Sequence, residues 1–157
     1  MRFDTAMELN RLWHSRLPRM GTGAIKNPER RFTCFCGIYG GLIYCVGIWS
    51  LPAARALPQD GTWLELRRYA IAPDAPKNTG SRGLRVMELL IRRQLPAVRR
   101  LCSSQDTEAH TGCIYRAAGW KPARLSDGGE WDTPARRRPK VQSDAPKQRW
   151  DKVIHAG

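Results

Sequence analysis

The chain has 157 residues, 41% of them hydrophobic, and its 27 Lys and Arg outweigh 14 Asp and Glu to give a formal net charge of +13. That length suits one domain with a real core, and no run of about 18 apolar residues is available to span a bilayer. A balance so one-sided costs self-repulsion and points to a polyanion partner, nucleic acid before a membrane surface. No apolar stretch of the signal-peptide kind follows the N-terminal charge, and five cysteines, an odd number, fit reduced thiols in a cytoplasm.

In chain order, Thr5 and Glu8 form a capping-box pattern ahead of a helix. Its inward stripe is Ala6, Leu9, Leu12 and Trp13, and Pro18 ends it. Asn10, His14 and Leu17 share a face of that helix, and His14 has the charge range for proton transfer. Residues 20–29 read as a loop containing Gly, Asn and Pro, long enough to reach a substrate. Phe32–Ile38 and Ile43–Trp49 are apolar runs around Gly40-Gly41, the signal of a two-residue hairpin. Counted outward from that turn, Cys36 falls opposite Cys45. Cys34-x-Cys36 lacks zinc-loop spacing, so these cysteines read as buried thiols and no metal site is expected.

Thr62–Ile71 is a strand, with Trp63, Glu65, Arg67 and Tyr69 expected on one face and Leu64, Leu66 and Arg68 on the other. Pro73 and Pro76 end it. The small, basic loop Lys77-Asn78-Thr79-Gly80-Ser81-Arg82-Gly83 then runs into a helix with Leu84, Met87, Ile91 and Leu95 at helical spacing, stopped by Pro96. A helix N-terminus with unpaired amides after such a loop is suited to a pyrophosphate. Arg99–Ser103 reads as a second strand and His110–Ala118 as a short helix with Gly119 as its C-cap. Asp106 lies between them, either as a functional carboxylate at a strand's end or as an N-cap for the following helix. Thr133–Arg149 combines prolines with Arg136-Arg137-Arg138 and Lys140 and reads as an extended arm suited to phosphates. Trp131 and Trp150 are placed to pin that arm. The expected division is a compact domain at 1–125 and a basic, Pro-containing arm at 126–157.

Strand, phosphate-type loop, helix, strand, and a helix ending Ile114-Tyr115-Arg116-Ala117-Ala118-Gly119-Trp120 resembles the core of the GNAT acetyltransferases. The resemblance implies a mixed, mostly antiparallel sheet flanked by helices. It further implies an acetyl-CoA or related acyl or glycyl donor held by Lys77, Asn78, Gly80, Ser81, Arg82 and Gly83, and Tyr115 as the acid for the departing thiolate. The loop departs from the family pattern in placing Arg82 where a small residue is usual.

A narrower resemblance is carried by Leu12-Trp13-His14-Ser15-Arg16-Leu17-Pro18, Glu65-Leu66-Arg67-Arg68, Ala75-Pro76-Lys77-Asn78, Ser81-Arg82 and His110-Thr111-Gly112-x-Ile114-Tyr115. Together these resemble the Mom family of bacteriophage DNA-modification proteins. That likeness implies transfer of a carbamoylmethyl, glycinamide-like group to the exocyclic N6 of adenine in DNA, protecting phage DNA from restriction in the bacterial cytoplasm. Tyr115, Asp106 and His14 are the candidate catalytic residues. Arg16, Arg68, Arg136, Arg137, Arg138 and Lys140 are the candidate DNA contacts. Two other readings stand beside it: an ordinary GNAT enzyme acetylating a protein, small amine or aminoacyl-tRNA, and a non-catalytic nucleic-acid-binding protein on the same scaffold.

Overall fold

The computed structural model describes residues 1–14, 31–127 and 145–155. Nine elements follow in order: α1 (Phe3–Trp13), β1 (Thr33–Tyr39), β2 (Leu42–Ser50), β3 (Trp63–Ile71), α2 (Thr79–Gln94), β4 (Arg100–Asp106), α3 (Cys113–Ala117), β5 (Lys121–Ser126) and β6 (Lys147–Val153). The strands form one six-stranded sheet in the order β1-β2-β3-β4-β6-β5. Every neighbouring pair is antiparallel except β3 and β4, which run parallel with α2 between them in sequence. This is the mixed, mostly antiparallel α/β domain that the sequence implies.

The sheet carries a separate core on each face. On one, α2 and α3 bury Leu84, Met87, Ile91 and Tyr115 against Trp49, Leu64, Leu66 and Leu101. On the other, α1 packs Phe3, Ala6 and Met7 over Val46, Ile48 and Ala70. Helix α1 begins at Phe3, ahead of the expected capping box, and no side chain caps it. Phe3 stacks on Phe32 with ring centroids 4.6 Å apart, which sets the helix phase so that Phe3, Ala6, Met7 and Asn10 face inward while Leu12 is left exposed.

Three strand pairs are irregular, β5–β6 between Pro122 and Arg124 among them, and the irregularities in β2 and β3 displace expected side chains. In β2, Gly37 pairs with Cys45 and Ile38 with Ile43, so an extra residue, Tyr44, puts Cys45 opposite Gly37 rather than Cys36. In β3, Ile48 pairs with Arg68 and Trp49 with Leu66, which leaves Arg67 as the extra residue of a bulge. Simple alternation therefore fails at Arg67. Leu64 and Leu66 before it and Tyr69 and Ile71 after it all pack into the same core.

The C-terminal residues are a further correction. Residues 147–153 are not part of an arm: β6 inserts between β4 and β5 and pairs with both, and Trp150 is 3% exposed. Lys152 in this strand approaches the buried Glu88 of α2 at 3.9 Å, and Glu88 accepts a hydrogen bond from Trp120 Nε1 at 2.6 Å. Thus β6 is tied into the larger core. The remainder of the expected arm, including Trp131, Arg136, Arg137, Arg138 and Lys140, lies outside the described residues, as do Arg16 and the 20–29 loop. Among the described residues no helix is long and apolar enough to cross a membrane.

Gly112 is a tight joint between sheet and helix. Its φ is +72°, and a Cβ there would stand 2.5 Å from Trp150 Cζ2 and 2.6 Å from Gln105 Oε1. Gly112→Ala therefore combines backbone strain with overpacking, for an expected loss of about 2–4 kcal/mol. Thermal unfolding should report a Tm lower by roughly 5–15 °C. An unchanged Tm would show that Trp150 is free to yield.

Candidate functional site

The parallel pair β3–β4 opens partway along its length. Register runs from Trp63↔Arg100 to Leu66↔Ser103 and stops there, next to the Arg67 bulge. Beyond that point the two strands separate, and a cleft of about 810 Å³ lies between them, lined by residues of β3, β4, the loop 108–112, the start of α3 and the end of α1. The Arg67 bulge in the β2–β3 ladder stands at the point where the β3–β4 pairing ends, and a bulge bends the strand that carries it.

Tyr115 lies at the apex of this split. Its hydroxyl is 2.9 Å from Ser103 Oγ, which also donates to the carbonyl of Leu66 at 3.2 Å. Since that carbonyl takes the Ser103 proton, Tyr115 is left to act as acceptor from Ser103 only when Ser103 turns away, and its own proton is otherwise directed at Ser103 Oγ. The ring stacks on Trp150 at 5.6 Å and 11° and meets Trp120 edge-on at 5.5 Å. Burial pushes the phenol above its ordinary value, and the Ser103 hydrogen bond offsets this only in part. Tyr115 is therefore neutral at physiological pH, with a proton available to give.

At the cleft mouth, two histidines meet. His14 is the C-cap residue of α1 and His110 belongs to the loop between β4 and α3, with ring centroids 6.1 Å apart in an edge-on arrangement. The sequence quoted His110 only as part of a motif; its convergence with His14 from the other face of the sheet required the fold. Asp106 also lines the cleft, but its Oδ1 accepts from the amides of Glu108 at 3.0 Å and Ala109 at 3.2 Å. Asp106 thus closes the turn that carries His110 and is not the N-cap of the next helix, which starts at Cys113 after Gly112. The same loop is held from the sheet, because Trp150 Nε1 donates to Gln105 Oε1 at 2.6 Å and Gln105 Nε2 donates to the carbonyl of His110. Trp150, expected only to pin an arm, and Gln105 are the supporting residues whose role sequence reasoning missed, because β6 reads as part of that arm.

Arg68 enters the cleft from β3 and is half-buried. Its Nη1 donates to the carbonyl of Arg67 at 2.8 Å, while its buried Nε has no hydrogen-bond partner among the described residues. Burial lowers its pKa from the usual value, with the Arg67 charge adding to the effect. The group remains a cation that an incoming acceptor oxygen would satisfy.

The expected donor loop is partly helix, since α2 starts at Thr79. Asn78 adopts the left-handed conformation at φ 68°, and no side chain caps the helix N-terminus. The amides of this first turn are thus presented without a side-chain cap, as an anion cradle requires. Gly80 and Gly83 serve close packing: a Cβ on Gly80 would lie 2.8 Å from Ile114 Cγ2, and one on Gly83 would lie 2.8 Å from Cys45 Sγ. The side chain of Tyr69 ties the turn down, donating to the Gly80 carbonyl at 2.7 Å. Lys77 and Arg82 border a second groove, of about 470 Å³, between α2 and the β1–β2 hairpin. The expected donor loop thus borders this groove, through Lys77, Thr79, Arg82 and Gly83, and none of its residues lines the cleft. Among the described residues no cluster of three His, Cys, Asp or Glu is arranged to hold a metal.

Two buried phenols make the stability pH-dependent. Burial raises both Tyr115 and Tyr69 above 10.0. The unfolded chain releases these protons near pH 10 while the folded chain holds them, so the stabilisation is complete below about pH 10 and is lost as pH rises above it. Urea unfolding of the wild type and Tyr115→Phe between pH 8 and 11.5 should show a shallower alkaline decline in the variant, by up to about 1.4 kcal/mol per pH unit. Parallel declines would contradict a raised Tyr115.

Comparison with known proteins agrees with this geometry. Among solved structures, the aminoglycoside 6'-acetyltransferase type Ii superposes with a TM-score of 0.65 at 14% identity, over 98% of this chain and 90% of that one. A Bacillus subtilis acetyltransferase in complex with CoA gives 0.64 at 11% identity, over 98% and 93%. The aminoglycoside acetyltransferase AAC(6')-Ib in complex with ribostamycin and coenzyme A gives 0.56 at 14% identity, and the chain spans only 64% of its length. At such identities the likeness is one of fold, that of the GNAT acetyltransferases. No curated protein matches the sequence. The Mom protein family model, however, matches residues 37–130. That is more than half of the chain and includes the split strands, the α2 loop and Tyr115, so the chain belongs to the Mom protein family.

Proposed function

We propose that this protein is a transferase that modifies the exocyclic N6 of adenine in DNA with a glycyl-type acyl group, the N6–carbonyl bond forming as the carbon–sulfur bond of a thioester donor of the coenzyme A class breaks; the product is an isomer of the carbamoylmethyl adduct and has the same mass. The observation that carries the reading is the buried, protonated Tyr115 at the apex of an open cleft whose mouth holds His14 and His110.

The uncapped first turn of α2 fits the pyrophosphate of such a donor, with Ser81 on that turn and Lys77 and Arg82 adding positive potential beside it. When bound, the donor supplies an activated carbonyl. Tyr115 holds a proton on its hydroxyl where a leaving thiolate needs one, and Ser103 fixes the direction of that hydroxyl. Adenine N6 is a poor nucleophile because its lone pair is delocalised into the ring. The two imidazoles at the mouth are the groups suited to accept its proton, and Asp106 keeps the His110 loop in place. Arg68, with its unsatisfied Nε, orients an oxygen of the incoming nucleotide. Since N6 is paired inside duplex DNA, the adenine must leave the stack to reach the cleft.

The placement of the charged segments supports a polyanion acceptor. Ser126 and Lys147 face each other at the end of the sheet where β4 reaches Asp106. The intervening stretch with Arg136, Arg137, Arg138 and Lys140 therefore departs and returns at the cleft end, and Arg16 follows His14 closely in sequence. We assign these residues to the DNA backbone, and residues 128–144 to the arm.

Expression in bacteria, followed by nuclease digestion and mass spectrometry of the nucleosides, tests the reading. A new adenosine species heavier by a carbamoylmethyl group is expected. Tyr115→Phe should lower its yield by about 10²–10⁴-fold while leaving DNA affinity intact. An unmodified nucleoside pool with acetylated protein or small amines would assign the enzyme to ordinary acetyl transfer. An equal yield from Tyr115→Phe would remove Tyr115 from the chemistry.

A further inference from the structure

The tip of the β1–β2 hairpin is unlike the rest of the basic surface. Ile38, Tyr39 and Leu42 are 63%, 74% and 59% exposed, three large apolar side chains within five residues. Single exposed hydrophobics need no explanation, whereas a cluster at a projecting tip does. The turn between them is rigid: Gly40 and Gly41 have φ of +57° and +80°, the two-residue form whose twist matches the flanking strands. The adjoining pairs Tyr39↔Leu42 and Ile38↔Ile43 continue the ladder to the tip. The tip is therefore a firm apolar projection.

Its position is equally specific. Strand β2 runs antiparallel to β3, and β3 runs parallel to β4. The hairpin tip, the end of β3 at Ile71, the start of α2 and the end of β4 at Asp106 consequently share one end of the sheet, the end at which the cleft opens. Ile38 and Tyr39 also line the groove that Lys77 and Arg82 border, so the apolar tip stands beside cations. Nothing in the transfer chemistry uses it. An apolar wedge flanked by positive charge is the arrangement by which proteins enter and unstack a base step, and a paired adenine must be unstacked before it can be modified.

We infer that Ile38, Tyr39 and Leu42 form a wedge that inserts into duplex DNA and unstacks the bases beside the target adenine. The inference rests on the reading of DNA adenine as the acceptor. Insertion replaces base–base stacking on one side of the target by contact with the Tyr39 ring and the two aliphatic side chains. Phosphate contacts made elsewhere on the basic surface hold the duplex during this step.

The full chain is tested with duplexes in which 2-aminopurine replaces single adenines, since its fluorescence rises on unstacking. Wild type should raise the signal several-fold at saturation. The variant carrying I38S, Y39S and L42S should bind the same duplex with affinity reduced by less than about tenfold, because phosphate contacts dominate binding, yet give no rise. Tyr39→Trp, which keeps a ring at the tip, should retain it, and circular dichroism checks that all variants fold. An equal fluorescence rise in the triple variant overturns the wedge. So does tip-dependent dimerisation in sedimentation, or tip-dependent binding to anionic phosphatidylserine vesicles with no unstacking of DNA, either of which assigns the tip to a different surface. Failure of the underlying reading is seen separately, as wild type that leaves cellular adenine unmodified whatever its tip does.

Discussion

The parting of β3 from β4 after Leu66 and Ser103 is the constraint on which the rest depends. A parallel pair held together to its end would leave no space between the strands. Here the Arg67 bulge of the β2–β3 ladder stands where the β3–β4 pairing ends, and the serine side chain takes over where the backbone ladder stops, bonding the Leu66 carbonyl at 3.2 Å and the Tyr115 hydroxyl at 2.9 Å. One small polar residue thereby closes the apex of the cleft and points a phenol into it. Because Ser103 is 2% exposed, both hydrogen bonds form away from competing water and fix direction well.

Support for that apex comes from a strand that is distant in sequence. Trp150 of β6 stacks against Tyr115 on one side and, through Gln105, holds the backbone of His110 on the other. Tyr115 and the His110 loop are thus held by the same indole. Gly112 makes this arrangement possible, as any side chain there would collide with Trp150 and Gln105. Tyr115 is consequently held from three sides, by Trp150, Trp120 and Ser103.

Much of this was legible in the sequence. Helix α2, the two-residue hairpin and the strand ending near Ile71 each announced themselves through periodicity or turn chemistry, and the Tyr115 helix was visible because Gly119 caps it. What was hidden has physical causes. The Arg67 and Tyr44 irregularities add one residue each to a strand, and no local pattern marks an insertion whose only effect is to shift side chains between faces. Lys147–Val153 reads as polar and charged, with Trp150 as its only large apolar residue, so its composition resembles a tail. It is a strand because β4 and β5 flank it and bury Trp150. Likewise His14 and His110 lie 96 positions apart, and only the folded sheet brings α1 and the β4–α3 loop to one mouth.

Asp106 lines the cleft, and its Oδ1 closes the turn that presents His110. The glycines of the α2 loop also serve packing, since Gly80 and Gly83 admit Ile114, Cys45 and Tyr69. The ionisation of Tyr115 is the most direct measure of the whole arrangement. Carbon-13 labelling at tyrosine Cζ, with Tyr115→Phe for assignment, resolves its resonance during a pH titration with and without coenzyme A. A buried phenol at the cleft apex should remain protonated above pH 10 and its resonance should move when coenzyme A binds. Ionisation at the ordinary value, or a resonance that coenzyme A leaves unmoved, would contradict a proton held there for the leaving group.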